Sequence, residues 1–132
     1  MSTIQIVIER SKDMFSAYAE NVAGIYGGGS TVEEAKQSVL DAIKWYTTYN
    51  KPENIPAILT TNFDIVYRFD AQSLLSYYKG IFTNGALERI TGINQRQLQH
   101  YANGLKKPRK TQVKKIETGL HQLASELLTI QL

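Results

Sequence analysis

The stretch Thr83–Lys110, TNGALERITGINQRQLQHYANGLKKPRK, holds two short helical patterns separated by a single glycine. Thr83 is a capping residue type, and Leu87 and Ile90 recur on one face of the helix it opens. Gly92 ends that helix, because the connection needs a left-handed residue and glycine carries no Cβ penalty there. Ile93 plugs the turn and Asn94 caps the next helix. In that second helix Leu98, with Tyr101 or Ala102, faces a core. This leaves Gln95, Arg96, Gln97, Gln99 and His100 pointing elsewhere. Gly104 closes the helix, and Lys106, Lys107, Arg109 and Lys110 follow around Pro108.

This order reads as a helix-turn-helix. The outward set suits base reading: Gln bonds bidentately to adenine and Arg to guanine in a major groove, and the N-terminal residues of the second helix reach the bases in such a motif. Gln95, Arg96, Gln97 and His100 are the base-reading candidates. The basic loop, with Lys106, Lys107, Arg109 and Lys110, is expected against phosphates, where its contribution is largely independent of sequence and sensitive to salt. Thr83 and Asn84 stand at a helix N-terminus, where backbone N–H groups donate to a phosphate. A plain helical bundle with a solvated polar face is the competing reading. The ordered run of cap, glycine turn, second cap, closing glycine and basic proline loop favours DNA.

Downstream, TQVKKIETGLHQLASELLTI (residues 111–130) reads as a long helix with Val113, Ile116, Leu120, Leu123, Leu127 and Ile130 on its apolar stripe. Its end, ASELLTIQL (124–132), holds more apolar residues than a small domain needs and is the expected dimer surface. AQSLLSYYKGIF (71–82) precedes the motif as another helix, with Leu74, Leu75, Tyr78 and Phe82 inward. The final helical half is thus expected over residues 70–132.

Upstream the pattern is mixed. TIQIVIER (3–10) alternates with Ile4, Ile6 and Ile8 on one face, a half-buried strand. MFSAYAE (14–20) follows the turn Ser11-Lys12-Asp13 as its hairpin partner. GIYGGGS (24–30) reads as a short third strand running into a glycine turn. TVEEAKQSVLDAIKWYTTYN (31–50) is a helix capped by Thr31, with Glu34 at the capping-box position and Val32, Ala35, Val39, Ala42, Ile43 and Tyr46 on its buried face. NKPENIPAILTTN (50–62) reads as loop, and DIVYRF (64–69) as a fourth strand. The expected class is α+β: a strand-strand-strand-helix-strand domain over residues 1–69, then an all-α domain.

Composition agrees with two small folded domains. Among 132 residues, 42% are apolar and 20% charged, which excludes a disordered chain. Residues 1–69 carry six Lys/Arg against eight Asp/Glu, and residues 70–132 carry nine against four. The basic half suits a polyanion partner. The absence of cysteine excludes disulfides, thiolate nucleophiles and Cys-based zinc sites. No apolar run approaches membrane-spanning length, and no signal segment precedes Thr3, so a cytoplasmic protein without a membrane partner is expected.

Two resemblances sharpen these readings. ALERITGINQRQLQHYANGLKKP resembles the phage-repressor class of helix-turn-helix domains. The resemblance implies base contacts from Gln95, Arg96 and His100 and phosphate contacts from Lys106 and Lys107. Glu88 departs from the class, which prefers a small residue there. In the first half, FSAYAENVAGIYGGGSTVEEAKQSVLDAI with the later IP resembles the HicB-type antitoxin family, with Ser30, Thr31, Glu33, Glu34, Ala35 and Pro56 matching its pattern. Ile25 stands where many members carry cysteine, and the proline usual before it is absent. This resemblance implies a partial RNase H-like fold that blocks a HicA-type RNA-cleaving toxin, while the complex represses its own operon. It assigns no toxin-contacting residue. Independently of it, one reading helix covers only a few base pairs, so a homodimer or larger homo-oligomer is expected.

Catalysis is not expected. RNase H chemistry needs carboxylates converging on two metal ions, whereas Glu9, Asp13, Glu20 and Asp64 are spread over strand ends and turns. His100 and His121 lie in the helical half without a metal-binding motif, so neither metal nor cofactor is expected. Gly27–Gly29 lack the Lys-Ser/Thr or dinucleotide spacing of a phosphate cradle and read as a structural turn. The competing readings are a repressor whose first domain senses a ligand or oligomerises without a toxin, and a metal-dependent nuclease with a DNA-targeting domain.

Overall fold

Ile4, Ile6 and Ile8 are wholly buried, and the alternation that places them on one face organises the first half of the chain. The computed structural model describes residues 2–132. They form a mixed α+β structure of one four-stranded mixed sheet and five α-helices. The chain divides into two compact units, the first ending at Asp70 and the second running from Ala71 to Leu132.

In the first unit, β1 (Ser2–Arg10) pairs antiparallel with β2 (Phe15–Ala19), which pairs antiparallel with β3 (Tyr26–Gly29). After helix α1 (Val32–Tyr49), β4 (Phe63–Phe69) returns to the other side of β1 and runs parallel to it, giving the order β3-β2-β1-β4. Val32, Ala35, Val39 and Ile43 of α1 are buried along with the three isoleucines, Ala17, Val22 and Ile25.

The α1 N-terminus is a reciprocal cap. The Thr31 hydroxyl accepts from Glu34 N at 3.1 Å, and the Glu34 carboxylate accepts from both Ser30 N (2.8 Å) and the Ser30 hydroxyl (2.7 Å). Those two Ser30 bonds, the hydroxyl first, hold the Glu34 carboxyl below its ordinary pKa.

The glycines preceding this cap are not a turn. Gly27–Gly29 are the body of β3, which lies flat against α1. A Cβ on Gly29 would stand 2.9 Å from Ala35 N, and one on Gly27 would stand 2.8 Å from Val39 N. Gly27 and Gly29 lack side chains, which lets the helix backbone approach the strand. The stretch after α1 also differs from a plain loop: Pro52–Asn54 and Ala57–Thr60 are short 3₁₀ turns, and the second buries Leu59.

The opposite sheet face is mostly polar along β1. Gln5, Val7 and Glu9 of β1 lie there, with Tyr18 and Arg68 flanking Val7 in register and shielding it to 8% exposure. Arg68 pairs with Glu20 at 3.5 Å, and the Tyr18 hydroxyl donates to Glu9 at 3.4 Å. Three of the acids scattered in the sequence, Glu9, Glu20 and Asp64, thus share one side of the sheet. Among the described residues no three His, Cys, Asp or Glu side chains are grouped to hold a metal ion, and no helix is long and apolar enough to cross a membrane.

The second unit is four helices, α2 (Ala71–Tyr78), α3 (Asn84–Thr91), α4 (Gln95–Ala102) and α5 (Lys110–Leu127). Leu75, Leu87, Ile93, Leu98, Tyr101 and Ile116 form its core, with Leu74, Phe82, Ala102 and Leu120 packed around it. α5 stops at Leu127, short of Ile130: the Thr129 hydroxyl bonds back to Glu126 O at 2.7 Å and competes with the next helical turn. The crossing of α5 over α3 requires Gly119, since a Cβ there would collide with Ile90 O.

Candidate nucleic-acid interface

The connection between α3 and α4 is fixed at every residue. The Thr91 hydroxyl, buried at the end of α3, donates to Leu87 O (2.7 Å) and accepts from Ile93 N (3.1 Å). Gly92 takes φ +76°, the left-handed region, and its N–H donates to Glu88 O at 2.8 Å. Ile93 is buried in the core, and Asn94 caps α4 by accepting from Arg96 N at 2.8 Å.

Glu88 resolves its own anomaly. Its carboxylate accepts from Gln95 N at 3.0 Å, so it caps α4 from the preceding helix and places negative charge at the positive end of the α4 dipole. Neither Thr91 nor Glu88 was legible as a functional position, because each acts by reaching along the chain to a backbone group.

The base-reading candidates separate into two groups. Gln95 and Arg96 are exposed on the first turn of α4. Gln97 is half-buried, and its amide donates to the Tyr101 hydroxyl at 2.9 Å. His100 is half-buried, with Nδ1 beneath the surface and lacking a hydrogen-bond partner. Gln99, absent from the candidate set, lies one turn beyond Gln95 and accepts from the Asn84 side-chain amide at 2.9 Å. That bond ties the first turn of α3 to the middle of α4. The i, i+4 relation to Gln95 was the available signal for Gln99.

The phosphate candidates sit at two helix starts. Thr83 caps α3, its hydroxyl accepting from Ala86 N at 3.0 Å, and Asn84 is the first helical residue. After α4 the loop is pinned by Leu105 N to the Asn103 side chain (3.0 Å) and by Lys106 N to His100 O (3.1 Å). Lys106, Lys107, Arg109 and Lys110 are all exposed. Arg109 occupies the N-cap of α5 without a side-chain capping bond, and the first turn contains no acid. Cations at the positive end of a helix dipole repel it, and an anion placed there relieves the repulsion.

No family model, curated protein or solved structure matches the chain.

Proposed function

We propose that this chain is an antitoxin and autorepressor, in which residues 70–132 form a helix-turn-helix unit that reads operator DNA. The observation that carries the DNA reading is the pairing of an exposed Gln95-Arg96 turn, held by the Thr91–Asn94 connection, with an exposed cationic loop at the uncapped start of α5. Gln95 and Arg96 then meet base edges, and Lys106, Lys107, Arg109 and Lys110 meet phosphates. One reading helix spans only a few base pairs, so two copies on paired half-sites, about 10 base pairs or a multiple apart, are expected. Leu127, Leu128, Ile130 and Leu132, all more than half exposed, supply an apolar surface for that association.

The HicB resemblance extends the proposal to residues 1–69, as a partial RNase H-like domain that silences a HicA-type toxin encoded beside it. The excess of acids over bases in this half suits a basic RNA-cleaving partner.

The test separates reading from anchoring. On DNA from upstream of its own gene, Arg96→Ala is expected to cost ~1–3 kcal/mol while leaving random-sequence binding nearly unchanged. Lys106→Ala should weaken both substrates about equally and flatten the salt dependence. Equal losses on both substrates for Arg96→Ala would remove the assignment of the reading face. For the toxin, growth rescue on co-expression with residues 1–69 supports the division, and rescue by residues 70–132 alone overturns it.

A further inference from the structure

The edge strand β4, Phe63–Phe69, has the sequence FDIVYRF, whose chemistry reads nearly the same in both directions about Val66. Aromatic residues stand at both ends, an acid and a base flank the centre at equal distance, and Ile65 balances Tyr67. The strand lies at the end of the sheet and pairs with β1 over seven consecutive residues, Ser2↔Phe63 to Ile8↔Phe69. It has no proline and no bulge, two devices by which natural edge strands discourage pairing. Among the described residues no backbone bond from a turn or loop reaches Phe63–Arg68. Val66 is 52% exposed on the face that also carries Asp64 and Arg68.

We infer that β4 is a self-complementary interface at which two copies of this chain pair antiparallel about a two-fold axis through Val66, joining their sheets into one of eight strands. In that register Asp64 faces the partner's Arg68, and Arg68 the partner's Asp64. Ile65 faces the partner's Tyr67 and Phe63 the partner's Phe69 on the α1 side, while the two Val66 side chains meet on the axis. Aromatic–aliphatic and opposite-charge pairs are the favourable cross-strand combinations. Neighbouring registers lose this match. Centring on Tyr67 sets Asp64 against Asp70, and centring on Ile65 sets Asp64 against Val66. A shift to an axis between residues joins the α1 side of one sheet to the opposite face of the other. An isologous contact uses the same patch on both copies, as this strand requires. The inference does not depend on the DNA reading.

The test uses the full chain and sedimentation equilibrium. Asp64→Arg alone sets Arg against Arg twice in the pair, and Arg68→Asp alone sets Asp against Asp twice. Each variant is expected to drop the assembly by one two-fold step, with the dissociation constant raised about tenfold or more. Mixed in equal amounts, the two variants restore Arg–Asp pairs at every position, so the mixture should return to the wild-type mass. Single variants with the wild-type mass, or a mixture no heavier than its components, would overturn the interface. Loss of the Arg68–Glu20 ion pair cannot imitate the result, since it is not repaired by mixing. Should either variant fail to fold by circular dichroism, Val66→Glu and Val66→Lys serve the same purpose on the axis. Each repels itself and attracts the other, and failure of that mixture to associate would equally dismiss the proposal.

Discussion

The two units solve the burial problem with unequal means. Among the described residues the first has twelve buried apolar side chains, from Ile4 to Leu59, and the second has six in a unit of similar length. The first unit is a sheet closed by one long helix, with a continuous apolar layer. The second is three short helices and one long one, and it leans on specific backbone geometry: the left-handed Gly92, the buried Thr91 hydroxyl, the Glu88 cap and the Gly119 crossing. A small apolar core makes such single points carry a larger share of stability. The unit with the smaller core also presents the polar face proposed to meet DNA.

The largest test of this contrast is Gly119→Ala. A Cβ there meets the backbone of Ile90, which cannot rotate away as a side chain would, so α5 must move off α3. Because the new atom meets backbone and not a movable side chain, the cost is expected at or above the top of the usual overpacking range of about 1–3 kcal/mol, well beyond the ~1 kcal/mol that alanine gains over glycine in a helix. Denaturant unfolding followed by hydrogen exchange should show the loss confined to Ala71–Leu132. Equal loss of protection in β1 and α1 would mean that the two units share one stability, and the contrast would not stand.

Gly92→Ala is smaller. Nothing crowds the missing Cβ, so the penalty is the left-handed backbone alone, about 1–2 kcal/mol. It should lower the melting temperature of the second unit and weaken the proposed DNA binding, because the same residue sets the angle at which α4 leaves α3. Replacement by Asn should recover part of both, as Asn tolerates this region better than Ala. Equal effects of Ala and Asn would show that the backbone conformation is not the cause.

The smallest effect concerns the first unit and is a function of pH. Glu34 is held ionised by Ser30, so its contribution is present above the ordinary carboxylate range and is lost as pH falls through its lowered value. Glu34→Gln should reduce the stability of the first unit at neutral pH, and the difference from wild type should shrink in acid. A difference independent of pH would assign the effect to helix propensity instead of the cap.

Signals that act over three or four residues were readable in the sequence. Thr31 with Glu34, Thr83, Gly92 and Asn94 mark their helix ends by local chemistry, and alternation about Ile4, Ile6 and Ile8 marks the strand. Features that depend on a distant neighbour were not. Gly27–Gly29 look like a turn until α1 is laid against them. Gly119 interrupts a helical pattern for a reason that lies on α3. Gln97 and His100 share the polarity of Gln95 and Arg96, but the Tyr101 hydroxyl holds the first and the unit's interior takes Nδ1 of the second. Polarity alone does not separate a side chain that faces solvent from one that satisfies a buried partner.

The start of α5 has a further consequence. At the starts of α1, α3 and α4 local preference and fold agree: acids stand in the first turn of α1, and α3 and α4 have capping side chains. At Arg109 and Lys110 they conflict, and the second unit keeps a locally frustrated helix end while it is alone. Substituting acids there would relax the frustration and raise the stability of the free unit, while stripping away the attraction for a polyanion. Robustness and binding trade against each other at these two residues, so an optimally stable version of this domain would be a poorer partner for anything negatively charged.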